Sequence, residues 1–197
     1  GVYSFLPLGL RVLNKLENLI RQEMSGLKAQ EVLMSAFQPK ENWQITGRWE
    51  KMTDLYKLKD SSGRELALGP THEEIMTPLV KNYLSSYQDL PLSIFQFQTK
   101  FRMESRAKSG LLRSREFLMK DLYSFHQNDN DLQRFYDQVT SVYKKIFERL
   151  NLSNKTYLTL AGGGTFAVFS HEFQTLTSAG EDSIRICESC HLAVNVE

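Results

Sequence analysis

Residues 94–101 have the sequence IFQFQTKF, and residues 117–125 have the sequence FLMKDLYSF. Both runs are rich in residues that favour strands, and the first alternates in part between apolar and polar side chains. A polar, basic segment from Met103 to Gly110 lies between them. This order predicts an antiparallel pair of strands joined by a long loop, with the first strand in a central position of its sheet.

Three segments outside this pair predict helices. Apolar residues recur at helical spacing within residues 12–24 and again within residues 129–150. Thr71 is followed three residues later by Glu74, which is the pattern of a capping box and predicts a helix that starts at Thr71. Pro78 lies inside that segment and is expected to kink or loosen one turn of the helix.

The remaining strands are short. Residues 32–34 predict one strand, and residues 56–68 predict a hairpin whose turn is residues 60–63, DSSG. The segment after residue 150 favours turns and further short strands. Helices mixed with strands that pair mostly as hairpins predict an α+β fold with a largely antiparallel sheet.

The composition excludes several classes of protein. Among 197 residues, 24 Lys and Arg stand against 23 Asp and Glu, so the net charge is +1 and any contact with nucleic acid must be local. No stretch approaches the roughly 20 consecutive apolar residues of a membrane-spanning helix. Charged side chains interrupt the first apolar stretch, which does not fit a signal peptide. The two cysteines, Cys187 and Cys190, are too close in sequence to form a disulfide framework.

Four side chains around the long loop predict a nucleotide site. Arg102 and Arg113 can hold anionic phosphate or carboxylate groups. Glu104 can accept a hydrogen bond from an exocyclic amine, and Phe117 offers a flat face to a purine. This set can hold a nucleoside triphosphate without a Gly-rich phosphate loop. The alternative is a surface hairpin whose charged residues form incidental salt bridges.

These residues carry a resemblance to a known family. Phe-Arg-x-Glu, a loop and Arg-x-x-x-Phe resemble motif 2 of class II aminoacyl-tRNA synthetases, and residues 114–126, SREFLMKDLYSFH, narrow the resemblance to the bacterial-type prolyl-tRNA synthetases. The order and spacing of further blocks agree along the whole chain. These blocks are Gly1–Tyr3 with Leu6–Gly9, Trp43–Gln44 with Gly47–Glu50, Gly69–Glu74, Leu90–Leu92, Ser170–Phe173 and Gly180–Asp182.

The resemblance implies an ATP site around motif 2. Arg102 would be the catalytic residue, binding the α-phosphate of ATP and later the adenylate. Glu104 would contact the adenine amine, and Phe117 would stack on the adenine. Arg113 would lie at the terminal phosphates, and Ser114 is included in the same ATP-binding set.

The resemblance also implies a proline site. Thr71 and Glu73 match a Thr-x-Glu loop that holds the proline nitrogen, and Arg102 would contribute to the same site. His171 lies in the block whose histidine lines the proline pocket. Taken alone, Thr71 would be a helix cap and His171 a capping or core histidine.

The implied reaction is the activation of proline by ATP to prolyl-adenylate, followed by transfer to tRNA(Pro). Mg²⁺ would accompany ATP, and the tRNA acceptor end would be a partner. The intact enzyme would be a homodimer and cytoplasmic, with an organelle as the alternative location. The alternative function is a non-catalytic, synthetase-like module that binds RNA or protein.

The domain expected from the resemblance is incomplete. Residues 1–197 would be part of a catalytic domain that contains motifs 1 and 2, with motif 3 and the anticodon-binding domain absent. The expected architecture is an antiparallel sheet of six or seven strands flanked by helices. We therefore expect the chain alone to have little activity.

Several positions depart from the family pattern. Ser35 replaces a proline of motif 1, Met103 replaces an acidic residue, and residues 107–108 replace a Pro-Arg pair. These changes bear on dimer geometry and on tRNA handling. Residues 165–169, TFAVF, introduce two phenylalanines that could narrow the pocket.

The segment Cys187-Glu188-Ser189-Cys190-His191 leaves two interpretations open. The two cysteines could supply half of a zinc site, whose other half would have to lie past residue 197, so we do not expect zinc in this chain alone. They could equally be a reduced pair in a strand–turn–strand segment. The formal match to a haem attachment site is disfavoured, because no export signal accompanies it.

Overall fold

The computed structural model describes residues 1–162, 169–189 and 192–196. The chain forms two compact units, Gly1–Gln138 and Val139–Glu197. The helices are α1 (Pro7–Gly26), α2 (Lys40–Ile45), α3 (Arg48–Lys51), α4 (Glu73–Tyr83) and α5 (Asp129–Arg149). The strands are β1 (Gln30–Glu31), β2 (Phe37–Pro39), β3 (Tyr56–Lys59), β4 (Glu65–Leu68), β5 (Leu92–Phe101), β6 (Glu116–Phe125), β7 (Thr156–Gly162), β8 (Phe169–Thr175), β9 (Ile184–Ile186) and β10 (Ala193–Asn195).

Strands β5 and β6 form the antiparallel pair that the sequence predicts. Their register runs from Leu92 opposite Phe125 to Phe101 opposite Glu116. The short strand β1 lies parallel to β5 on its other side, so β5 is the central strand of a three-stranded sheet. The hairpin and the central position of its first strand are both confirmed.

A second sheet of the first unit contains the predicted hairpin of residues 56–68. Its strands pair antiparallel in the order β2-β4-β3. Asp60 stabilises the turn, because its Oδ1 accepts hydrogen bonds from the backbone nitrogens of Ser62 and Arg64, each at 2.9 Å. A buried apolar cluster includes a residue of β4; its members are Trp43, Trp49, Leu55 and Ala67.

Helix α4 begins later than the sequence indicates. It starts at Glu73, and His72 at the N-cap position makes no side-chain cap hydrogen bond. The carboxylate of Glu74 is buried and accepts from Arg48 Nη1 at 2.7 Å. The predicted capping box of Thr71 and Glu74 is therefore wrong, because a tertiary ion pair takes up the carboxylate that would have served it.

The predicted strand at residues 32–34 is displaced toward the N-terminus. The residues paired with β5 are Gln30 and Glu31, although Val32 N still donates to Phe95 O at 2.8 Å. Met34 instead packs in the core. That buried cluster comprises Met34, Met76, Val80 and Ile94.

Helix α1 forms where predicted, but much of its apolar stripe is exposed. Met24 is fully buried, whereas Leu8 and Val12 keep 75% and 52% of their surface exposed. An amphipathic helix normally buries such a stripe. The described part of the chain does not cover this end of α1. Helix α5 also lies where the sequence predicts it, and α4, with Pro78 inside it, lies within the predicted segment but begins at Glu73.

The second unit is built around a hairpin of β7 and β8. Its strands lie in the order β8-β7-β10-β9, with β10 parallel to β7 and antiparallel to β9. Phe173 of β8 stacks on Phe147 of α5, with ring centroids 5.5 Å apart. The second half of α5 thus packs on this sheet.

The α+β class is confirmed, but the expected single sheet of six or seven strands is not what the described residues show. Their strands form three sheets of three, three and four strands, with two parallel pairs. Parallel partners are far apart in sequence, so alternation within a strand does not reveal them.

No helix in the described ranges is long and apolar enough to cross a membrane.

Candidate active site

The pairing of β5 with β6 creates one polar face. Directly opposed residues of an antiparallel pair project to the same side, and Gln96 lies opposite Asp121 while Lys100 lies opposite Phe117. Because side chains alternate along a strand, Tyr123 also projects to this side. A polar set of this kind inside a sheet needs mutual hydrogen bonds to offset its burial.

Asp121 is the centre of that set. Its Oδ2 accepts hydrogen bonds from Gln96 Nε2 at 2.9 Å, Lys100 Nζ at 3.0 Å and the Tyr123 hydroxyl at 2.7 Å. The side chain of Lys100 is fully buried, and that of Asp121 is 10% exposed. The other oxygen, Oδ1, is buried without a hydrogen-bond partner among the residues that the structure describes.

His72 connects this set to the chain segment before β2. Lys100 Nζ contacts His72 Nδ1, and His72 Nε2 lies 3.1 Å from Ser35 O. An ammonium group cannot accept a hydrogen bond, so Nδ1 accepts and the proton lies on Nε2, which donates to Ser35. Burial, followed by the charge of Lys100, lowers the pKa of His72 to about 4, which agrees with a neutral ring.

Burial also shifts the neighbouring groups. It lowers the pKa of Lys100, and the negative charge of Asp121 opposes this shift. Burial raises the pKa of Tyr123 far above its usual range, with Glu73 and Asp121 acting in the same direction. Tyr123 is therefore a protonated donor to Asp121 at neutral pH.

The segment that contains Thr71 and Glu73 is held rigidly at the end of β5. Gly69 O accepts from Phe101 N at 3.1 Å, and Gly69 N donates to Ala36 O at 2.9 Å. Gln38 Nε2 donates to Thr71 O at 2.8 Å. A Cβ at Gly69 would lie 2.2 Å from that same Nε2, so this close approach requires glycine.

Thr71 and Glu73 contact each other within this segment. The Thr71 hydroxyl donates to Glu73 Oε2. Glu73 also lies near enough to the positive charge of Lys100 and to the Tyr123 hydroxyl to affect the pKa of each. A half-buried carboxylate beside a hydroxyl is an arrangement that can accept hydrogen bonds from a substrate ammonium.

Arg102 lies one residue beyond β5 and is half-buried. Its backbone N donates to Arg115 O at 3.0 Å, which continues the register of the hairpin. Its guanidinium carbon lies 5.3 Å from the centre of the Phe117 ring, a cation–π distance. Its charge also lowers the pKa of Lys100. Arg102, Phe117, Thr71 and Glu73 are thus gathered around the Asp121 set.

Glu104 and Arg113 form an ion pair across the base of the loop. Arg113 Nε lies 3.0 Å from Glu104 Oε2, with Arg113 48% and Glu104 19% exposed. Ser114 is buried, and its hydroxyl donates to Glu116 O at 3.0 Å. The exposed Met103 is held by its backbone N, which donates to Asp54 O at 2.7 Å. The two predicted ATP contacts Glu104 and Arg113 therefore lie together in the structure.

The remaining candidates belong to the second unit. His171 is an exposed residue of β8, opposite Leu160 of β7. Cys187 is exposed, and its backbone N donates to Leu192 O at 2.9 Å in the turn between β9 and β10. Cys190 and His191 lie outside the described residues, as do residues 163–168 and the side chain of Phe169. Within the described ranges, no group of three or more His, Cys, Asp or Glu side chains could hold a metal ion.

Sequence reasoning missed the buried members of the site. Lys100, Asp121 and His72 were not singled out, although each belongs to a segment that was. The available signal was the alternation Gln96, Gln98 and Lys100 along β5, which places a polar row inside a strand otherwise rich in Phe and Ile. Only the pairing with β6 shows that a carboxylate faces this row.

Comparison with known proteins agrees with this geometry. The model of the tRNA synthetase class II core domain (G, H, P, S and T) matches residues 56–193. The chain belongs to this family. The chain is 48% identical over 200 residues to the proline–tRNA ligase of Ruthia magnifica subsp. Calyptogena magnifica, covering all of this chain and 35% of that protein. The chain thus spans about a third of the length of that curated relative.

Solved structures with the same fold include two prolyl-tRNA synthetases. The enzyme of Cryptosporidium parvum, in complex with L-proline and AMP, superposes with a TM-score of 0.72 at 21% identity over 84% of this chain and 33% of that one. The enzyme of Giardia lamblia, in complex with prolyl-adenylate, gives 0.72 at 22% identity over 81% of this chain and 33% of that one. At these identities the likeness confirms the class II catalytic fold.

Proposed function

We propose that this chain is part of the catalytic domain of a proline–tRNA ligase. The observation that carries the proposal is the 48% identity to a proline–tRNA ligase along the full chain. The site supports it, because a carboxylate–hydroxyl pair at Glu73 and Thr71 and a cation at Arg102 are gathered on one face of β5 and β6. Motif 3 and the anticodon-binding domain are proposed to lie outside residues 1–197.

The amino acid would bind between the Thr71–Glu73 segment and Arg102. The secondary ammonium of proline carries two N–H donors, which fit the Glu73 carboxylate and the Thr71 oxygen. The carboxylate of proline fits the Arg102 guanidinium. His171 is proposed to line the same pocket, on the basis of the sequence block in which it lies.

ATP would bind beside the amino acid along motif 2. Arg102 would contact the α-phosphate, and Phe117, on which Arg102 now stacks, would stack on the adenine. Glu104 would accept from the adenine amine and Arg113 would contact the terminal phosphates, which requires their ion pair to open. Ser114 would contribute through the backbone at this position, since its hydroxyl already donates to Glu116 O.

The reaction follows from this arrangement. A carboxylate oxygen of proline attacks the α-phosphorus of ATP, the bond to the bridging oxygen breaks, and pyrophosphate leaves with the electron pair. The protein supplies alignment and positive charge at Arg102 and Arg113, and no protein nucleophile is needed. Mg²⁺, when bound with ATP, would neutralise the phosphates.

The partners and location follow from the same assignment. The prolyl group would pass to the terminal ribose of tRNA(Pro), near the loop of residues 103–112. A homodimer is supported by the apolar stripe of α1, where Leu8 and Val12 are 75% and 52% exposed. A cytoplasmic location is supported by the relation to a translation enzyme, with an organelle as the alternative.

The non-catalytic module is the less favoured function. Ser35 is one of the departures from the family pattern that suggest this function. Its backbone carbonyl accepts a hydrogen bond from His72 Nε2, and its side chain is exposed. Replacement of a proline at this position therefore leaves that contact in place. Cys187 and Cys190 as half of a zinc site remain a separate proposal on the sequence spacing alone.

Proline-dependent exchange of pyrophosphate into ATP tests the proposed function. The assay uses the natural protein that carries this chain, with alanine in place of proline as the substrate control. We expect exchange with proline, and its loss in Arg102→Ala. Lys81→Ala, an exposed position on α4, is the control variant and is expected to be fully active. Exchange that is equally fast without proline would contradict the proposal.

A further inference from the structure

A continuous chain of buried polar contacts runs from β6 to the segment that precedes β2. Asp121 Oδ2 accepts from Lys100 at 3.0 Å, Lys100 contacts His72 Nδ1, and His72 Nε2 donates to Ser35 O at 3.1 Å. Lys100 and His72 are each fully buried. The proposed reaction assigns no chemical step to either of them.

The chain of contacts ends at the proposed amino-acid site. His72 lies between Thr71 and Glu73 in sequence, so the two hydrogen bonds that hold its ring also restrain the backbone of both neighbours. The Thr71 carbonyl has a further tie, from Gln38 Nε2 at 2.8 Å. The ring itself is held on two sides, because the Lys100 ammonium donates to Nδ1 and Nε2 donates to the Ser35 carbonyl.

Burying the Lys100 ammonium group beside His72 carries a cost in folding free energy. Burial of an ammonium group is unfavourable unless it is paired and hydrogen-bonded, and here one carboxylate oxygen receives Lys100, Gln96 and Tyr123 together. Gln96 is held in turn, because its Oε1 accepts from Met34 N at 3.0 Å. The whole arrangement directs a single rigid donor at His72 Nδ1.

We propose that Lys100 is a positioning residue for the amino-acid substrate, acting through His72 to hold Thr71 and Glu73 in place. The proposal rests on the proposed function, since it takes Thr71 and Glu73 as the groups that receive the substrate nitrogen. Lys100 touches no reacting atom. The hydrogen bonds of Lys100 through His72 lead to the segment of Thr71 and Glu73, so its larger effect is on the binding of proline and its smaller effect is on the binding of ATP.

Two substitutions of His72 separate the two hydrogen bonds of its ring. His72→Asn keeps an acceptor at the position of Nδ1, facing Lys100, and loses the donor to Ser35. His72→Gln keeps a donor near the position of Nε2 and loses the acceptor for Lys100.

Lys100→Met removes the donor itself while keeping much of the volume of the side chain. Lys81→Met is the matched control on the surface of α4.

The measurement is steady-state pyrophosphate exchange with proline and ATP varied separately. We expect His72→Gln and Lys100→Met to raise the KM for proline about tenfold or more, with the KM for ATP changed less than about twofold. His72→Asn is expected to stay within about threefold of the unchanged protein for both substrates. Lys81→Met is expected to match the unchanged protein.

The other outcomes overturn the proposal in distinguishable ways. If the unchanged protein shows no proline-dependent exchange, the proposed function fails and the positioning role fails with it. If it is active and the variants lose affinity for both substrates equally, or His72→Asn is as impaired as His72→Gln, only the positioning role is wrong. If Lys100→Met does not fold, the double variant Lys100→Met with Asp121→Asn takes its place, because it removes both charges of the buried pair. An unchanged KM for proline in the double variant also overturns the positioning role.

Discussion

The Lys100 ammonium donates to Asp121 Oδ2 at 3.0 Å, with the lysine side chain fully buried between strands that carry the proposed substrate contacts. The pair joins neighbouring strands from opposite sides of the long motif 2 loop. A charge pair in this position holds β5 and β6 in register close to Arg102, which follows the end of β5. Its two members are therefore expected to affect both stability and the binding of the amino acid.

Breaking this pair is expected to destabilise the protein strongly. Lys100→Met leaves the Asp121 carboxylate buried without its cation, and loss of one partner of a buried ion pair typically costs about 3–5 kcal/mol. Asp121→Asn is expected to have a similar effect, while the double variant should lose much less than the sum of the two. Urea unfolding of the four proteins in a double-mutant cycle measures this, and additive losses would show that the pair is not coupled.

The stability of the protein should depend on the protonation of His72. Its folded-state pKa of about 4 lies below the ordinary histidine value of 6.5, so the unfolded state binds more protons between these values. Stability is then fully present above about pH 6.5 and falls as the pH drops toward 4, by about 2 kcal/mol at pH 5. Urea unfolding at pH 7 and pH 5 measures the loss.

The control for that prediction is His72→Gln, which cannot titrate in this range. It should lose less stability than the unchanged protein between pH 7 and pH 5, whatever its stability at pH 7. Equal losses in the two proteins would mean that carboxylates elsewhere account for the acid sensitivity and that His72 does not contribute.

Replacement of Gly69 by alanine should disturb the Thr71–Glu73 segment. The new Cβ would lie 2.2 Å from Gln38 Nε2, which also donates to Thr71 O, so the clash and the lost hydrogen bond fall on the same group. We expect a loss of about 1–3 kcal/mol in the free energy of unfolding and a raised KM for proline. Gly26→Ala is the matched control, since its Cβ would meet nothing within 4 Å. An undisturbed KM for proline in Gly69→Ala would show that this segment does not form the amino-acid site.

Sequence reasoning identified the outer residues of the site and missed the inner ones. Arg102, Glu104 and Phe117 stand in a recognisable motif with plausible ligand chemistry, so their types and spacing were informative. Lys100 and Asp121 are far apart in sequence, and only the strand register brings them together. The predicted capping role of Glu74 was wrong for the same reason. Its carboxylate pairs with Arg48, which is far from it in sequence, so no local spacing indicates the contact. Hairpins were predictable because their partners are neighbours, whereas β1 and β10 pair in parallel with distant strands.

The ion pair of Glu104 with Arg113 distinguishes a nucleotide site from incidental surface charges. Arg113 is 48% exposed, so the pair should contribute about 1 kcal/mol or less to stability. Arg113→Met and Glu104→Gln are therefore expected to unfold at nearly the same urea concentration as the unchanged protein. If the two residues contact the phosphates and the adenine amine, each variant should raise the KM for ATP about tenfold and leave the KM for proline nearly unchanged.

The matched control for this pair is Arg64→Met, which breaks an exposed ion pair with Asp60 in the turn of the β3–β4 hairpin. That variant should leave both KM values unchanged, because the turn carries none of the proposed ligand contacts. If Arg113→Met and Glu104→Gln behave as Arg64→Met does, the charges at the base of the loop are incidental, and Arg102 with Phe117 would have to bind ATP without them.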